Sequence, residues 1–408
     1  MRELVGAMRS YAWGSRTALA QLCGREVPSA HPEAELWFGA HPADPALVCA
    51  NGSSRSLLEV IDAATDRELG AVAAVFDGRL PFLVKILAAE EPLSLQAHPS
   101  ADQARHGFER ENAARVPLDS PMRNYRDNNH KPELVVALDR FEALAGFRAP
   151  PRTVELLEAL AVPELDRYAK LLAAQPDSDG LRTLFTTWIT LPQAILETLL
   201  PKVLEGGIRY LANPGSAGGT QDFSAEVRTV LELAEGYPGD AGVLAALLLN
   251  RITLEPGQGL FLAAGSLHAY LRGIGVEIMA NSDNVLRGGL TPKHVDVPEL
   301  LRVLDFEPLR EPIVEAEPAG PDSYNYRTPA PEFALRRFEL GAGAPAVPIP
   351  RTGPGIMLVT AGTVRLSQGT EDLTLAAGGA AWISASDTDI HARAVDGAAQ
   401  LFCACVGE

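Results

Sequence analysis

The segment TLEPGQGLFLAAGSLHA, residues 253–269, is echoed near the other end of the chain by TLAAGGAAWISASDTDIHA, residues 374–392. Each copy runs from an apolar strand through a glycine turn into a second strand and ends in His-Ala. A supersecondary unit that occurs twice indicates a repeated architecture. Short strands joined by glycine turns in this rhythm are typical of a double-stranded β-helix, the jelly-roll barrel. The sequence therefore predicts a mainly β protein with two such barrels.

The pattern of apolar residues changes between the N-terminal strands and the first copy of the repeated segment. Residues 150–250 carry apolar side chains at three- and four-residue spacing with charges between them, which is helix periodicity. We expect an all-α domain at 150–250, inserted into a first barrel that is formed by residues 1–149 and 251–315. A second barrel without a metal is expected at residues 316–408. A chain of 408 residues is long enough for this organisation.

Charge and hydropathy exclude several classes of partner. The 35 Lys and Arg are outnumbered by 52 Asp and Glu, for a formal charge of −17. Nucleic-acid binding is disfavoured because phosphate backbones require a basic face. No stretch has the length of a membrane span or the form of a signal peptide, so we expect a cytoplasmic protein. The acidic surface favours a monomer and requires a local positive pocket for any anionic substrate.

Polar side chains collect where the predicted strands begin or end. Alternation places Ser94, Gln96 and His98 on one face of a strand. Glu133 opens the next apolar strand, and His268 follows the apolar run in the quoted segment. Two imidazoles, a carboxylate and an amide oxygen suit a divalent metal of the zinc type, although glutamine is an uncommon zinc ligand. Strand ends converge at the mouth of a barrel, so these residues are candidate metal ligands.

The chain that follows His268 is rich in charged and hydrogen-bonding side chains. It carries Tyr270, Glu277, Asp283, Arg287 and Lys293 in one run. Arginine and lysine supply fixed positive charge, which suits an anionic substrate.

Six blocks occur in an order that resembles a known family. They are YAWGS (residues 11–15), PEAELWFGAHP (32–42), LPFLVKILAAEEPLSLQAHP (80–99), NHKPELVVAL (129–138), HAYLRG (268–273) and ANSDNVLRGGLTPKH (280–294). Together they resemble the type I phosphomannose isomerases, zinc-dependent enzymes of the cupin superfamily. The helical insertion falls in the expected place, and the tail is similar to the C-terminal cupin domain of the family.

The resemblance implies a site and a reaction. One zinc ion would be bound by Gln96, His98, Glu133 and His268, and Arg287 would be the catalytic arginine. The sugar pocket would be lined by Trp13, Glu35, Ser94, Lys131, Tyr270, Glu277, Asp283 and Lys293. The reaction would interconvert mannose 6-phosphate and fructose 6-phosphate by proton transfer through an enediol. Arg287 and the metal would stabilise the charge that develops on the enediol oxygens.

The identity of the base and two other functional classes stay open at this point. Glu277, Asp283, Lys131, His98 or a metal-bound water could transfer the proton, and geometry must decide among them. Our hypothesis is Glu277 or Lys131. One alternative is another metal-dependent cupin enzyme, such as an oxygenase or a glucose-phosphate isomerase. An oxygenase would use a similar ligand set, but the neighbouring cations favour a phosphorylated substrate. A non-enzymatic sugar-phosphate sensor would keep the pocket without turnover.

Overall fold

The computed structural model of the chain describes residues 1–50, 52–213, 222–320 and 322–407. These residues form mostly antiparallel sheets together with a group of helices. Residues 214–221, which belong to the expected helical insertion, lie outside the described residues.

The strands are labelled in chain order, and their bounds are as follows. They are β1 Arg2–Val5, β2 Ala7–Arg9, β3 Glu35–Phe38, β4 Leu47–Ala50, β5 Ser53–Ser56, β6 Phe82–Ala89, β7 Leu95–Ala97, β8 Glu133–Ala137, β9 Phe141–Phe147, β10 Leu249–Leu254, β11 Gly259–Leu262, β12 His268–Ala280, β13 Leu286–Gly289, β14 Ile313–Val314, β15 Glu317–Gly320, β16 Ser323–Tyr326, β17 Ala334–Leu340, β18 Val347–Pro348, β19 Gly355–Ala361, β20 Thr363–Gln368, β21 Glu371–Ala376, β22 Ala380–Ile383, β23 His391–Ala394 and β24 Ala399–Cys405.

The α-helices are labelled in the same way. They are α1 Ala18–Leu22, α2 Leu57–Ala63, α3 Thr65–Leu69, α4 Val72–Val75, α5 Ala101–Ala113, α6 Pro150–Ala159, α7 Asp166–Ala174, α8 Ser178–Ile189, α9 Gln193–Ala212, α10 Ser224–Gly236, α11 Gly242–Ala246 and α12 Val297–Val303, with a 3₁₀ turn at Pro163–Leu165. In the described residues, none of these helices combines the length and the apolar character that a membrane crossing requires.

Strand β12 is the centre of the largest sheet, in which the order is β14-β11-β8-β12-β6-β3-β2 and further strands attach at the side. Its first residues pair with β7 and β9, whereas residues 273–280 pair with β6. A bulge between Tyr270 and Arg272 and a positive φ of 129° at Gly273 bend the strand between these halves. In a straight strand the Cα atoms of residues 270 and 277 would lie about 23 Å apart, on opposite faces. Here the Tyr270 hydroxyl donates to the Glu277 carboxylate at 2.5 Å.

The two copies of the repeated segment have the same strand pairing. In the first copy β9 lies between β10 and β12, and in the second β20 lies between β21 and β23. Gly257 and Gly378 have positive φ in equivalent turns, and His268 and His391 open equivalent strands. The sequence echo therefore corresponds to one repeated structural unit.

A nine-stranded sheet joins the two ends of the described chain. Its order is β15-β16-β17-β24-β19-β22-β1-β4-β5, so β1 pairs with the C-terminal strand β22, and β4 and β5 extend the same sheet beyond β1. The α-ammonium of Met1 also pairs with Asp387 at 3.0 Å. Apolar side chains of both large sheets, including Phe82, Trp382 and Phe402, form one buried core between them. The first part of the chain thus belongs to both β regions.

The helices α6 to α11 form a second core that lies behind the site. Trp188 and Phe185 of α8 are fully buried in it, together with Leu95 of β7 and Leu286 of β13. The block begins with Pro150 at the first helical position, where a missing N–H costs nothing. The helices therefore pack directly on the strands that carry site residues.

Candidate active site

A cavity of about 540 Å³ opens on the β12 side of the large sheet. Its wall contains most of the residues that the sequence singled out: Trp13, Glu35, Ser94, Gln96, Lys131, Glu133, Tyr270, Glu277, Asp283, Arg287 and Lys293. The remaining two, His98 and His268, are buried and lie against Glu133. The structure therefore brings all of the predicted site residues together.

His98, Glu133 and His268 form a buried cluster whose potential ligand atoms all lie within 4.8 Å of one another. His98 follows the end of β7, Glu133 opens β8 and His268 opens β12, as the strand-end argument predicted. The Nε2 atoms of the two histidines lie 3.3 and 3.4 Å from the oxygens of Glu133. This spacing and donor set are compatible with one divalent metal ion.

The hydrogen bonds of the two histidines leave one nitrogen of each available for a metal. The Nδ1 of His98 lies 2.7 Å from the carbonyl oxygen of Asn284, and the Nδ1 of His268 lies 2.9 Å from that of Ser266. Each Nδ1 must carry the proton to bond a carbonyl, so each Nε2 holds a lone pair. Neither Nε2 has a hydrogen-bond partner in the described residues. Two buried, unsatisfied nitrogens facing one carboxylate fit a metal site.

The ionisation of this cluster also suits metal ligands. Burial lowers the pKa of His98 to about 4, partly offset by Glu133, so the imidazole is neutral near pH 7. Burial alone would raise the pKa of Glu133, but Lys131 and His98 outweigh it and hold that pKa well below its usual range. Neutral imidazole and ionised carboxylate are the forms that bind metals.

Strand register places Gln96 between the cluster and Arg287. Gln96 lies directly opposite His268 in the β7–β12 pair and opposite Arg287 in the β13–β7 pair. Directly opposed residues of antiparallel strands point to the same face. The amide of Gln96, the imidazole of His268 and the guanidinium of Arg287 therefore share one face of the sheet.

A buried ion network, which the sequence reasoning missed in part, forms the floor of the cavity. The ammonium of Lys85 lies 2.8 Å from Glu35 and 2.7 Å from Glu277. Burial alone would lower the pKa of Lys85, but the two carboxylates outweigh it and raise that pKa above its ordinary value. Burial raises the pKa of Glu277, partly offset by Lys85, and burial together with Glu277 raises the pKa of Tyr270 well above its ordinary value. The signal for Lys85 was a single charge in the buried run FLVKILAA.

Three cations lie together in another part of the wall. Burial and then Arg126 lower the pKa of Arg287, while burial, Arg287 and Arg126 lower the pKa of Lys293. In the described residues, no acidic group offsets either shift. Arg126, which sequence reasoning missed, follows Tyr125 in a loop that lines the cavity. Uncompensated positive charge of this kind suits a phosphate group.

The rim is formed by more exposed residues. Asp283 has 48% of its side chain exposed and lies 3.5 Å from His41, whose pKa is lowered by burial in spite of that carboxylate. Trp13 stacks on Tyr11 with ring centroids 5.6 Å apart. The exposure of Asp283 separates it from the buried carboxylates Glu35 and Glu277.

Fold and site together define an antiparallel β protein with a metal-type cluster and an anion-attracting cavity. A profile of the catalytic domain of type I phosphomannose isomerases matches residues 1–150. Mannose-6-phosphate isomerase of Escherichia coli K12 is 38% identical over 398 residues, covering 96% of this chain and 97% of that protein. The human enzyme of that name is 33% identical, with 94% and 93% covered. The solved structure of a zinc-bound mannose 6-phosphate isomerase matches with a TM-score of 0.88 and 34% identity, over 100% of this chain and 99% of that one.

The chain therefore belongs to the type I phosphomannose isomerase family. This confirms the resemblance that the six sequence blocks indicated, and it makes an oxygenase the wrong class for this cavity.

Proposed function

We propose that the chain is a zinc-dependent aldose-ketose isomerase that interconverts mannose 6-phosphate and fructose 6-phosphate. The observation that carries the proposal is that the unsatisfied Nε2 atoms of His98 and His268 face Glu133, beside a cavity whose wall holds Arg126, Arg287 and Lys293. The names of its relatives agree with this activity.

In this proposal, Gln96, His98, Glu133 and His268 hold one zinc ion. When bound, zinc supplies a Lewis acid that polarises the sugar carbonyl without redox chemistry. The backbone carbonyls that accept from the two Nδ1 atoms fix the rings, so that the ligands need little reorganisation.

The cationic wall binds the phosphate and stabilises the transition state. Lys293 and Arg126 are assigned to the phosphate group because they lie on loops, where charge is accessible. Arg287 is assigned to the charge that builds up on the enediol oxygens, because it shares a sheet face with Gln96 and His268. A fixed donor at that position is most effective in the transition state.

Proton transfer between the two carbons is assigned to Glu277, with Lys131 as the second candidate. Burial moves the pKa of Glu277 upward, towards the working pH, as a general base requires. Lys131 lies 3.2 Å from Glu133, where its ammonium is needed to balance that carboxylate. Glu35, Ser94, Trp13, Tyr270 and Asp283 then shape the sugar pocket.

The remaining features of the proposal concern architecture. We assign residues 1–149 and 251–315 to a first cupin barrel, 150–250 to an all-α insertion and 316–408 to a second, metal-free barrel. The strands β1, β4 and β5 are shared with the second barrel's sheet, which supports a rigid connection. The protein is proposed to act as a monomer.

The test is turnover of mannose 6-phosphate to fructose 6-phosphate by purified protein, before and after chelation and after zinc is restored. We expect activity that is lost with the chelator and returns with zinc. Bound zinc without turnover of this substrate would contradict the proposed reaction. Turnover by protein shown by elemental analysis to contain no metal would contradict the metal assignment.

A further inference from the structure

Asn284 is a fully buried side chain in the loop between β12 and β13. Its backbone carbonyl accepts the hydrogen bond from Nδ1 of His98 at 2.7 Å. The loop makes no strand pairing of its own between residues 281 and 285, so other contacts must hold this carbonyl in place. A buried amide with no role in the sheet needs a specific set of partners.

Those partners all belong to the loop that carries Arg126. The Oδ1 of Asn284 accepts from the backbone N–H groups of Arg126 at 2.7 Å and Asp127 at 3.2 Å. Its Nδ2 donates to the carbonyl oxygens of Asp127 and Asn129, both at 2.9 Å, and to the Asp127 carboxylate at 3.2 Å. One side chain thereby ties two loops that are more than 150 residues apart in the chain.

Asp127 reinforces the same connection from the other side. Its carboxylate accepts from the Ser282 hydroxyl at 2.8 Å and from the backbone N–H of Asp283 at 2.7 Å. Burial raises the pKa of this carboxyl, partly offset by these hydrogen bonds. The two loops are therefore joined by reciprocal hydrogen bonds.

We infer that Asn284 is a positioning residue that ties the metal ligand His98 to the phosphate-binding Arg126. The inference rests on the proposed function. The side chain sets the position of the Arg126 backbone, and the same residue's carbonyl sets the ring of His98. Loss of the tie must therefore weaken zinc binding and phosphate binding together. Groups that orient a metal-bound histidine typically contribute about 10- to 100-fold in metal affinity.

The test replaces the amide by a carboxylate of the same shape. Asn284→Asp removes the two donated bonds to the carbonyl oxygens and faces the Asp127 carboxylate with a second one. The matched control is Gln400→Glu in β24, because the amide of Gln400 also donates to a carboxylate, that of Glu339 at 2.8 Å, but outside the cavity. Zinc affinity is measured on the full chain by competition with a chromophoric chelator.

We expect Asn284→Asp to raise the zinc Kd by about 10- to 100-fold. At saturating zinc, the KM for mannose 6-phosphate should also rise because Arg126 is displaced. Gln400→Glu should change neither the zinc Kd nor the KM, even if it lowers the melting temperature as much as Asn284→Asp does. A folded Asn284→Asp protein with the zinc Kd of the wild type, or an equal shift in the control, would overturn the inference.

Asp127→Asn provides a milder variant in case Asn284→Asp does not fold. It keeps the shape but turns the carboxylate contact with the Asn284 amide into an amide–amide contact, and the zinc Kd should rise several-fold. An unchanged Kd would again overturn the inference. If wild-type protein binds zinc but isomerises a different substrate, the proposed function fails while the zinc comparison still decides the role of Asn284.

Discussion

Replacing Lys85 by methionine tests the buried ion network most directly. Met is of similar length and removes only the ammonium that lies between the carboxylates of Glu35 and Glu277. Glu35 and Glu277 are 5% and 1% exposed. Their nearest oxygens lie 2.8 and 2.7 Å from Nζ of Lys85, so the distance between these two oxygens is at most the sum of the two values. Two like charges at about 5 Å repel by about 3 kcal/mol at an effective dielectric constant of ~20. Breaking a buried ion pair from one side costs about 3–5 kcal/mol in total.

The loss of stability should depend on pH. Burial already raises the pKa of Glu277, and Lys85 is the largest influence that lowers it, so the variant raises this pKa further. At pH values between the pKa of Glu277 in the unfolded chain and its higher pKa in the folded variant, the folded variant keeps a proton on Glu277 that the unfolded chain releases. The stability of the variant therefore falls as pH rises through this range. We expect a destabilisation of about 3–5 kcal/mol at pH 8. At pH 5 the destabilisation should be smaller than at pH 8 by more than about 1 kcal/mol.

The assay is urea unfolding of wild type and Lys85→Met at both pH values, with chelator present so that bound zinc adds nothing. Lys170→Met on the exposed face of α7 serves as control and should stay within about 0.5 kcal/mol of wild type. A destabilisation below about 1 kcal/mol, or one of equal size at pH 5 and pH 8, would refute the reasoning.

Three further predictions concern catalysis. Arg287→Ala should lower kcat by about 100- to 1000-fold with little change in melting temperature. Steady-state kinetics and thermal unfolding measure the two quantities, and near-normal turnover would show that Arg287 has no catalytic role. Lys293→Ala should raise KM for mannose 6-phosphate more than it lowers kcat, and the reverse split would take it out of the phosphate site. Glu277→Gln should abolish exchange of the substrate C2 proton with deuterated solvent, followed by NMR, while Lys131→Gln keeps it; the opposite result would assign the base to Lys131.

Local patterns in the sequence were sufficient to single out the three residues of the buried His-Glu-His cluster. Alternation in LSLQAHP predicted Gln96 and His98 on one face of a strand, and the structure has β7 at Leu95–Ala97 with His98 directly after it. Glu133 and His268 both lie at strand starts. Strand ends are predictable because prolines, turns and apolar runs mark them within a few residues.

The residues that were missed depend on pairings between distant segments. Lys85 faces Glu277 across the β6–β12 register, and no local feature of either strand reveals that register. Asn284 resembles any polar loop residue until the loop at residues 126–129 is placed against it. The bend of β12 also could not be predicted, because a bulge shifts every later side chain to the other face.

The position of β1 between β22 and β4 has a consequence for the order of events during translation. Arg2 pairs with Trp382, so β1 leaves the ribosome about 380 residues before its partner strand β22. At about 5–20 residues per second, this interval is roughly 20 to 75 s. During that time, β4 is the partner already synthesised, and the early strands β1, β4 and β5 can form a small sheet whose β22 edge stays open. An open edge of this kind invites pairing with other nascent chains, so the yield of native protein should depend on the speed of elongation and on chaperones.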